Sequence, residues 1–298
     1  MAVNYAEMYQ QALQQKYTKG LAFNALYSTP NNQNIKWTGA KTIQIPRITV
    51  SGFSDVDRDV VGNHTRRADN DFETKTLEHD REFDTLVDPM DVDETNMALS
   101  IANITRVFND EQKIPEMDKY AASKLYEEFT TYGGTAETTA LTVDNILSVF
   151  DDMMEEMDEA EVPQDGRILY VTPAIKKLLK NAEKLQRSLD IKGTSANSVN
   201  RDVRSLEEVT IESVPSTRMK TSYNFTLGAE PAAGAGQINM ILVHPTALFT
   251  PQKYDVVLLD EPSATSKGKW LYYERKYWDL FVIEKKAPGV KFHVTAGA

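Results

Sequence analysis

A long run of helix-forming residues, 91–129, constrains the fold of this chain more than any other feature. Asp91 and Glu94 have the spacing of a capping box, which predicts a helix that begins near residue 93. Apolar side chains then recur at helical spacing: Met97, Ile101, Ile104 and Phe108, followed by Ala121, Ala122, Leu125 and Phe129. Pro115 lacks a backbone N–H, so we expect a break near Ile114 and a second helix with the proline in its first turn. The run is predicted to be a scaffold, because it contains no set of catalytic residues.

The segment before this run predicts a projection. Residues 42–50 are strand-forming, and Pro46 indicates an edge strand or a bulge. Residues 52–84 are rich in charge, and their apolar side chains are too sparse for a core of their own. A long two-stranded projection of this kind is marginally stable alone and needs support from outside itself. In a monomeric enzyme it would be a lid, and in an oligomer it would clasp a neighbouring subunit.

The rest of the chain indicates an α+β fold. A helix is predicted from the apolar spacing of residues 146–157, and a buried strand at 167–172 leads into a helix that Pro173 opens. Further strands are predicted at 209–214, 238–243 and 254–259, followed by a long aromatic strand or strand pair at 270–283 and a terminal strand at 290–295.

Composition excludes several classes of function. The net charge is −11, and no cluster of Lys and Arg stands out, which argues against a protein built to grip phosphate backbones. The chain has no cysteine, so disulfides, thiolate nucleophiles and cysteine-bound metals are excluded. No apolar run approaches the length needed to cross a bilayer, so we expect no membrane association.

No motif in the chain predicts catalysis or metal binding. Asp55, Asp57 and Asp59 resemble the start of a calcium loop, but Val60 and Arg66 occupy the positions that need Gly and Glu. The acidic residues at 151–161 have the spacing of a solvated helix face, and the four histidines are far apart in sequence. Phosphate-binding, dinucleotide-binding and nucleophile-elbow motifs are absent. We therefore expect no catalytic, cofactor-binding or metal-binding residues.

Five segments, taken in their order and spacing, resemble the major capsid proteins of tailed bacteriophages that infect Gram-positive bacteria. They are IKWTGAKTIQIPRI with GFSDVDRD, HDREFDTLVDPMDVDETN, IPEMDKYAASKLY, ILYVTPAIKKLL and VTIESVPSTRM. No single segment is diagnostic, but the resemblance extends over about residues 5–294.

The resemblance implies the Hong Kong ninety-seven fold, an α+β phage capsid fold. Its parts would be an N-terminal arm at 1–30 and an extended β-hairpin loop with its supporting strands at 31–92. A peripheral domain with a long spine helix and a sheet would comprise 93–134 and 261–284, with the spine itself at 93–113. An axial domain, a central sheet flanked by helices, would comprise 135–260 and 285–298.

The function that the resemblance implies is structural. The chain would assemble with itself into pentamers and hexamers of an icosahedral shell that encloses double-stranded DNA without sequence-specific binding. It would be found in the virion after assembly in the host bacterial cytoplasm. Portal and maturation proteins are implied as partners. No long scaffolding segment precedes the arm, so a separate scaffolding protein or a removed pro-segment is also implied.

Two alternatives remain open. One is an encapsulin-like shell with the same fold around a cargo enzyme. The other is a metal-dependent hydrolase that uses the acidic clusters, with the projection as its lid. If the shell hypothesis holds, contacts between subunits are expected from the arm and the projection: Tyr5, Tyr9, Phe53, Asp55, Asp57, Arg58, Asp59, Arg66, Arg67 and Arg81.

Overall fold

The structure is a computed structural model that describes residues 17–35, 37–39, 41–53, 55, 66–94, 100–182, 205–206 and 208–297. Its α-helices are α1 Asn24–Tyr27, α2 Pro89–Glu94, α3 Ile101–Phe108, α4 Ile114–Thr131, α5 Ile146–Glu159 and α6 Pro173–Asn181. Its longer strands are β1 Thr42–Val50, β2 Ala68–Thr76, β3 Asp80–Val87, β4 Ile168–Val171, β6 Val209–Ser213, β9 Gln237–Val243, β11 Gln252–Asp260, β12 Trp270–Trp278 and β14 Val290–Thr295. The two-residue strands are β5 Ser205–Leu206, β7 Tyr223–Asn224, β8 Glu230–Pro231, β10 Leu248–Phe249 and β13 Phe281–Val282.

A single long helix, formed by α3, a π-helical turn at Asn109–Lys113 and α4, runs through the molecule. The predicted break near Ile114 is wrong, because Phe108, Lys113 and Ile114 all have right-handed helical backbone angles. Pro115 has no N–H to donate, and its ring would crowd the carbonyl one turn earlier in a regular α-helix. The wider π turn directly before it relieves that conflict without ending the helix.

The start of the long helix also differs from the prediction. Residues of the proposed capping box belong to the short helix α2, which Pro89 opens. The long helix begins only at Ile101, because Ser100 before it has extended backbone angles of φ −62° and ψ 147°. The spine predicted for residues 93–113 is therefore displaced toward the C-terminus and ends at Thr131.

A five-stranded sheet with the order β14-β9-β4-β6-β5 forms the larger core. Only β4 and β6 pair in parallel, with α6 in the connection between them. Successive side chains of a strand point to opposite faces. Leu169, Val171 and Leu242 accordingly pack against α5 and α6, whereas Tyr170 and Ile241 pack against α4 and the segment around α1.

A second sheet has three antiparallel strands in the order β11-β12-β3, and the long helix packs against it. The Phe83 ring stacks on the Phe108 ring with their centroids 3.9 Å apart, and Lys113 of the π turn pairs with Glu274 of β12. These contacts place the long helix against β3 and β12. β11 also pairs with β12, so the expected domain boundary at 260 falls in a loop between two paired strands. The domain division itself stays a prediction.

β1 and β2 form the expected hairpin, with a register from Thr42 opposite Thr76 to Val50 opposite Ala68. The predicted projection was too long at its C-terminal end. Residues 80–84 belong to β3, which pairs with β12. The projection therefore ends at Thr76.

Candidate functional site

The end of the β1–β2 hairpin is highly exposed. Every described residue from 48 to 70 is exposed. Apolar side chains are among them: Ile48 is 67% exposed, Val50 68% and Phe53 111%. Scattered exposed apolar residues are normal, but a group on a thin two-stranded element has no core of its own to join. The hairpin therefore presents a surface suited to contact with another molecule.

The base of the hairpin is held firmly to its own chain. Ile43 and Leu77 are 2% and 1% exposed, and they pack with Phe249, Tyr277 and Phe281. Burial of two aliphatic side chains stabilises this junction by about 3–6 kcal/mol. The hairpin is thus a rigidly rooted projection with an exposed end.

Ion pairs continue this attachment along both strands. Lys75 on β2 donates to Glu128 Oε2 at 2.9 Å and to the Tyr132 hydroxyl at 2.5 Å, and both partners lie on or just after α4. Burial alone would lower the pKa of Lys75, but these two hydrogen bonds outweigh it and raise the pKa. On β1, Arg47 pairs with Glu284 at 2.5 Å.

A buried polar cluster lies where the hairpin continues into β3. The His79 ring stacks on the Tyr120 ring of α4 with centroids 3.7 Å apart, and Tyr120 donates to Asp279 Oδ1 at 2.6 Å. Burial, together with the charges of Arg81 and Lys124, lowers the pKa of His79 to about 3. His79 Nε2 lies 3.8 Å from a Glu116 oxygen without a hydrogen bond, and it stays neutral near pH 7.

A second buried polar cluster fixes the N-terminal segment. Asp118, fully buried on α4, accepts hydrogen bonds from the backbone N–H groups of Ala22 and Phe23 at 3.0 Å. It also pairs with Arg218 at 2.7 Å, and Arg218 donates to the carbonyl of Gly20 at 3.2 Å. Burial raises the pKa of Asp118, although these donors oppose the shift. These bonds anchor residues 20–23 to α4 and to Arg218.

In the described part of the chain, β11 and β3 are the two edge strands of the three-stranded sheet, and β11 is the more exposed of them. β11 pairs only with β12, and eight of its nine residues are exposed. Its apolar side chains Val257, Leu258 and Leu259 are each about half exposed. An exposed edge strand is a ready template for another strand, so this edge is a second surface suited to contacts.

The residues predicted to contact other subunits fall into three groups. Phe53, Asp55, Arg66 and Arg67 are exposed at the far end of the hairpin. Arg81 is instead half-buried at the start of β3, where its Nε donates to Glu116 at 2.6 Å and its Nη1 to the Phe225 carbonyl at 2.5 Å. Five others lie outside the described residues: Tyr5, Tyr9, Asp57, Arg58 and Asp59. Contact with another subunit stays a prediction for all of them.

Sequence reasoning missed the two buried polar clusters. Asp118 did leave a signal, because it lies three and four residues before Ala121 and Ala122 on the apolar stripe of α4. A charged side chain on a stripe that is buried needs a hydrogen-bonding or ionic partner, because burial of an unpaired charge is costly. His79 and Arg218 left no comparable signal, because their partners are distant in sequence.

The described residues contain no group of three or more His, Asp or Glu side chains placed to hold a metal ion. Within the same residues, no helix combines the length and apolarity that a membrane crossing requires. The rooted hairpin and the exposed edge strand β11 are the two described surfaces suited to protein contacts.

Comparison with solved structures shows which known proteins share this fold. A structure titled "Mycobacterium phage Che8" matches with a TM-score of 0.68 and 17% identity over 97% of this chain and 96% of that one. A cyanophage P-SCSP1u capsid structure matches with a TM-score of 0.71 and 12% identity over 98% and 93% of the two chains. The mature capsid of bacteriophage PhiM1 matches with a TM-score of 0.68 and 14% identity over 98% and 92%. No family model and no curated protein matches the sequence. The chain has the α+β fold of phage capsid proteins.

Proposed function

We propose that this chain is the major capsid protein of a tailed bacteriophage. It assembles with itself into pentamers and hexamers of an icosahedral shell around double-stranded DNA. Its role is structural rather than enzymatic, and its place is the virion after assembly in the host bacterial cytoplasm. The observation that carries the proposal is the fold, which matches phage capsid structures over at least 97% of this chain and 92% of theirs in the three comparisons above.

The physical character of the hairpin supports assembly. Its root is buried in the subunit, whereas its far end exposes Ile48, Val50 and Phe53 to solvent. An isolated two-stranded element is marginally stable in water. A neighbouring subunit that covers this end would remove apolar surface from water and support the strands at the same time.

The charge of the chain suits an enclosed genome. The net charge of −11 limits attraction between the wall and the DNA phosphates, so the DNA can move during packaging and release. Scaffolding, portal and maturation proteins are proposed as further partners, because a closed shell of identical subunits needs an initiation site and a means of size control.

Electron microscopy of the expressed full chain tests the proposal. Cells that produce the chain, alone and with a phage scaffolding protein, are lysed, and large particles are separated on a sucrose gradient. Closed shells, tubes or five- and six-membered rings are the expected result. A chain that sediments only as a monomer under both conditions would refute the proposal. Particles purified from infected cells should also protect DNA from added nuclease.

A further inference from the structure

Several edge strands of the described sheets carry a feature that opposes pairing with another molecule. A free strand edge attracts other strands, and proteins block it with charge, proline, short length or a covering segment. The β14 edge is covered by Glu137, whose N–H donates to the Phe292 carbonyl at 2.9 Å and whose carbonyl accepts from the Val294 N–H at 2.8 Å. β5 is only two residues long, and β1 contains Pro46.

The outer edge of β11 lacks these features. Four of the nine residues of β2 and four of the eight residues of β3 are charged, which opposes the approach of a further strand. β11 instead has four successive apolar residues at 256–259. Val257 is 56% exposed, Leu258 50% and Leu259 49%. Among the described residues no strand pairs with this edge, so it is open to a strand from another molecule.

The regular part of β11 is symmetric in a way that suits pairing with itself. Its pairing with β12 runs without interruption from Tyr254 to Asp260, and a register shift between Gln252 and Tyr254 ends it. Val257 is the middle of these seven residues. An antiparallel β11 strand from a second copy therefore uses all seven only when the two Val257 residues lie opposite each other. Val256 of each copy then lies opposite Leu258 of the other, which brings apolar side chains together on one face.

The charges beside this stretch favour the same register. With Leu258 at the centre, only residues 256–260 of the regular part would pair, and Asp255 would lie opposite Glu261 of the other copy. Like charges directly opposite each other are destabilising. With Val257 at the centre, Glu261 lies opposite Lys253 of the other copy, at both ends of the pair. The Lys253 ammonium lies over the Trp37 ring, 4.2 Å from its centroid, and this contact keeps the positive charge near that end of the strand.

We propose that β11 of one copy of this chain pairs antiparallel with β11 of a second copy, with Val257 at the centre. The two three-stranded sheets then join into one continuous sheet. Such a contact has a two-fold axis, because both copies contribute the same surface. It cannot build a ring of five or six subunits, since ring contacts are head-to-tail, so it joins subunits of two neighbouring rings. The inference rests on the proposed function and specifies a surface that links the rings into a shell.

Single introduced cysteines test the register directly. The chain contains no cysteine, so a thiol reports only on its own position. Residues directly opposite each other in an antiparallel pair have Cα atoms about 4.5–5.5 Å apart, which a disulfide can span. Val257→Cys in the full chain should therefore give a dimer on non-reducing gels after assembled particles are oxidised with copper phenanthroline.

Leu259→Cys is the matched control, because this side chain is also about half exposed on the same strand. In the proposed register the two Leu259 positions lie four residues apart along the paired strands, about 13 Å, so this variant should not cross-link. Leu259 lies opposite Asp255 of the other copy in that register. The double variant Asp255→Cys with Leu259→Cys should therefore cross-link again.

Charge at the centre of the contact gives an independent readout. Val257→Lys places two ammonium groups opposite each other, so five- and six-membered rings should remain while closed shells are lost from electron micrographs. Val257→Glu should behave in the same way. Co-expression of the two variants should restore shells, because each introduced Lys can then lie opposite an introduced Glu. Val257→Thr keeps a β-branched, uncharged side chain and should keep shells.

The outcomes separate this inference from a failure to fold and from the proposed function. Thermal melts should show that every variant is folded. Shells of Val257→Cys that cross-link no more than those of Leu259→Cys would overturn the inference and leave the proposed function standing. Loss of shells in Val257→Lys that co-expression with Val257→Glu does not restore would also overturn it, because a different partner would then cover β11. A wild-type chain that forms neither rings nor shells would refute the proposed function, whereas a Val257→Cys dimer would still support the strand pairing.

Discussion

Removal of the exposed end of the hairpin should separate subunit stability from shell assembly. In the register of β1 and β2, Arg47 lies opposite Asp71. An Asn-Gly turn in place of residues 48–70 would join these two positions with the geometry that short hairpins prefer. The change keeps both strands at the root and deletes only the projecting end.

The free energy of unfolding should change little. Every described residue in the deleted segment is exposed. The deletion removes the hydrogen bond from Lys285 Nζ to the Ile48 carbonyl, which is 3.1 Å long and exposed to solvent. Exposed polar interactions contribute about 0–1 kcal/mol, and a chain of this size shifts its melting temperature by about 2–4 °C per kcal/mol. A melting temperature within about 4 °C of wild type is therefore expected.

The assay compares this variant with Leu77→Ala at the root. Leu77 is 1% exposed, so its truncation should cost about 2–5 kcal/mol and lower the melting temperature clearly. Melting is followed by circular dichroism or calorimetry, and closed shells are counted by electron microscopy after a sucrose gradient. The trimmed variant should melt like wild type but form no closed shells.

Two results would refute the reasoning. Normal shells from the trimmed variant would show that the exposed hairpin makes no essential contact between subunits. A melting temperature lowered as far as that of Leu77→Ala would show that the deleted segment supports its own subunit.

Three further predictions concern the interior of the subunit. Asp118→Ala leaves Arg218 buried without its partner, so it should cost about 3–5 kcal/mol, seen as a lower urea midpoint. Burial lowers the pKa of His79 to about 3, so the unfolded chain takes up the proton first and stability falls as the pH drops from about 6.5 toward 3. His79→Gln should remove that part of the pH dependence in melts recorded across this range. A Cβ at Gly134 would overlap the Phe129 ring, so Gly134→Ala should cost about 1–3 kcal/mol in thermal unfolding, and a similar cost for Gly134→Ser would support the steric cause.

The sequence predicted the elements well where a repeating apolar pattern marks one face. The stripe through Ala121, Ala122 and Leu125 indicated a helix, and all three side chains are fully buried in α4. The pattern could not place the start of that helix, because extended backbone at Ser100 interrupts it without any change in composition. Nor could it show that a π turn keeps the helix intact before Pro115, since hydrogen-bond register is not encoded in apolar spacing.

The sequence also could not show which strands, distant along the chain, pair with one another in a sheet. The sequence indicated β11 and β12 as strand-forming segments and included the start of β3 in the projection, but it did not show that these three strands pair with one another. In the structure, Phe83 of β3 lies opposite Glu274 of β12, and Val257 of β11 lies opposite the same residue on the other side. Such pairings depend on the packing of the whole chain, because local propensity is the same for any partner strand.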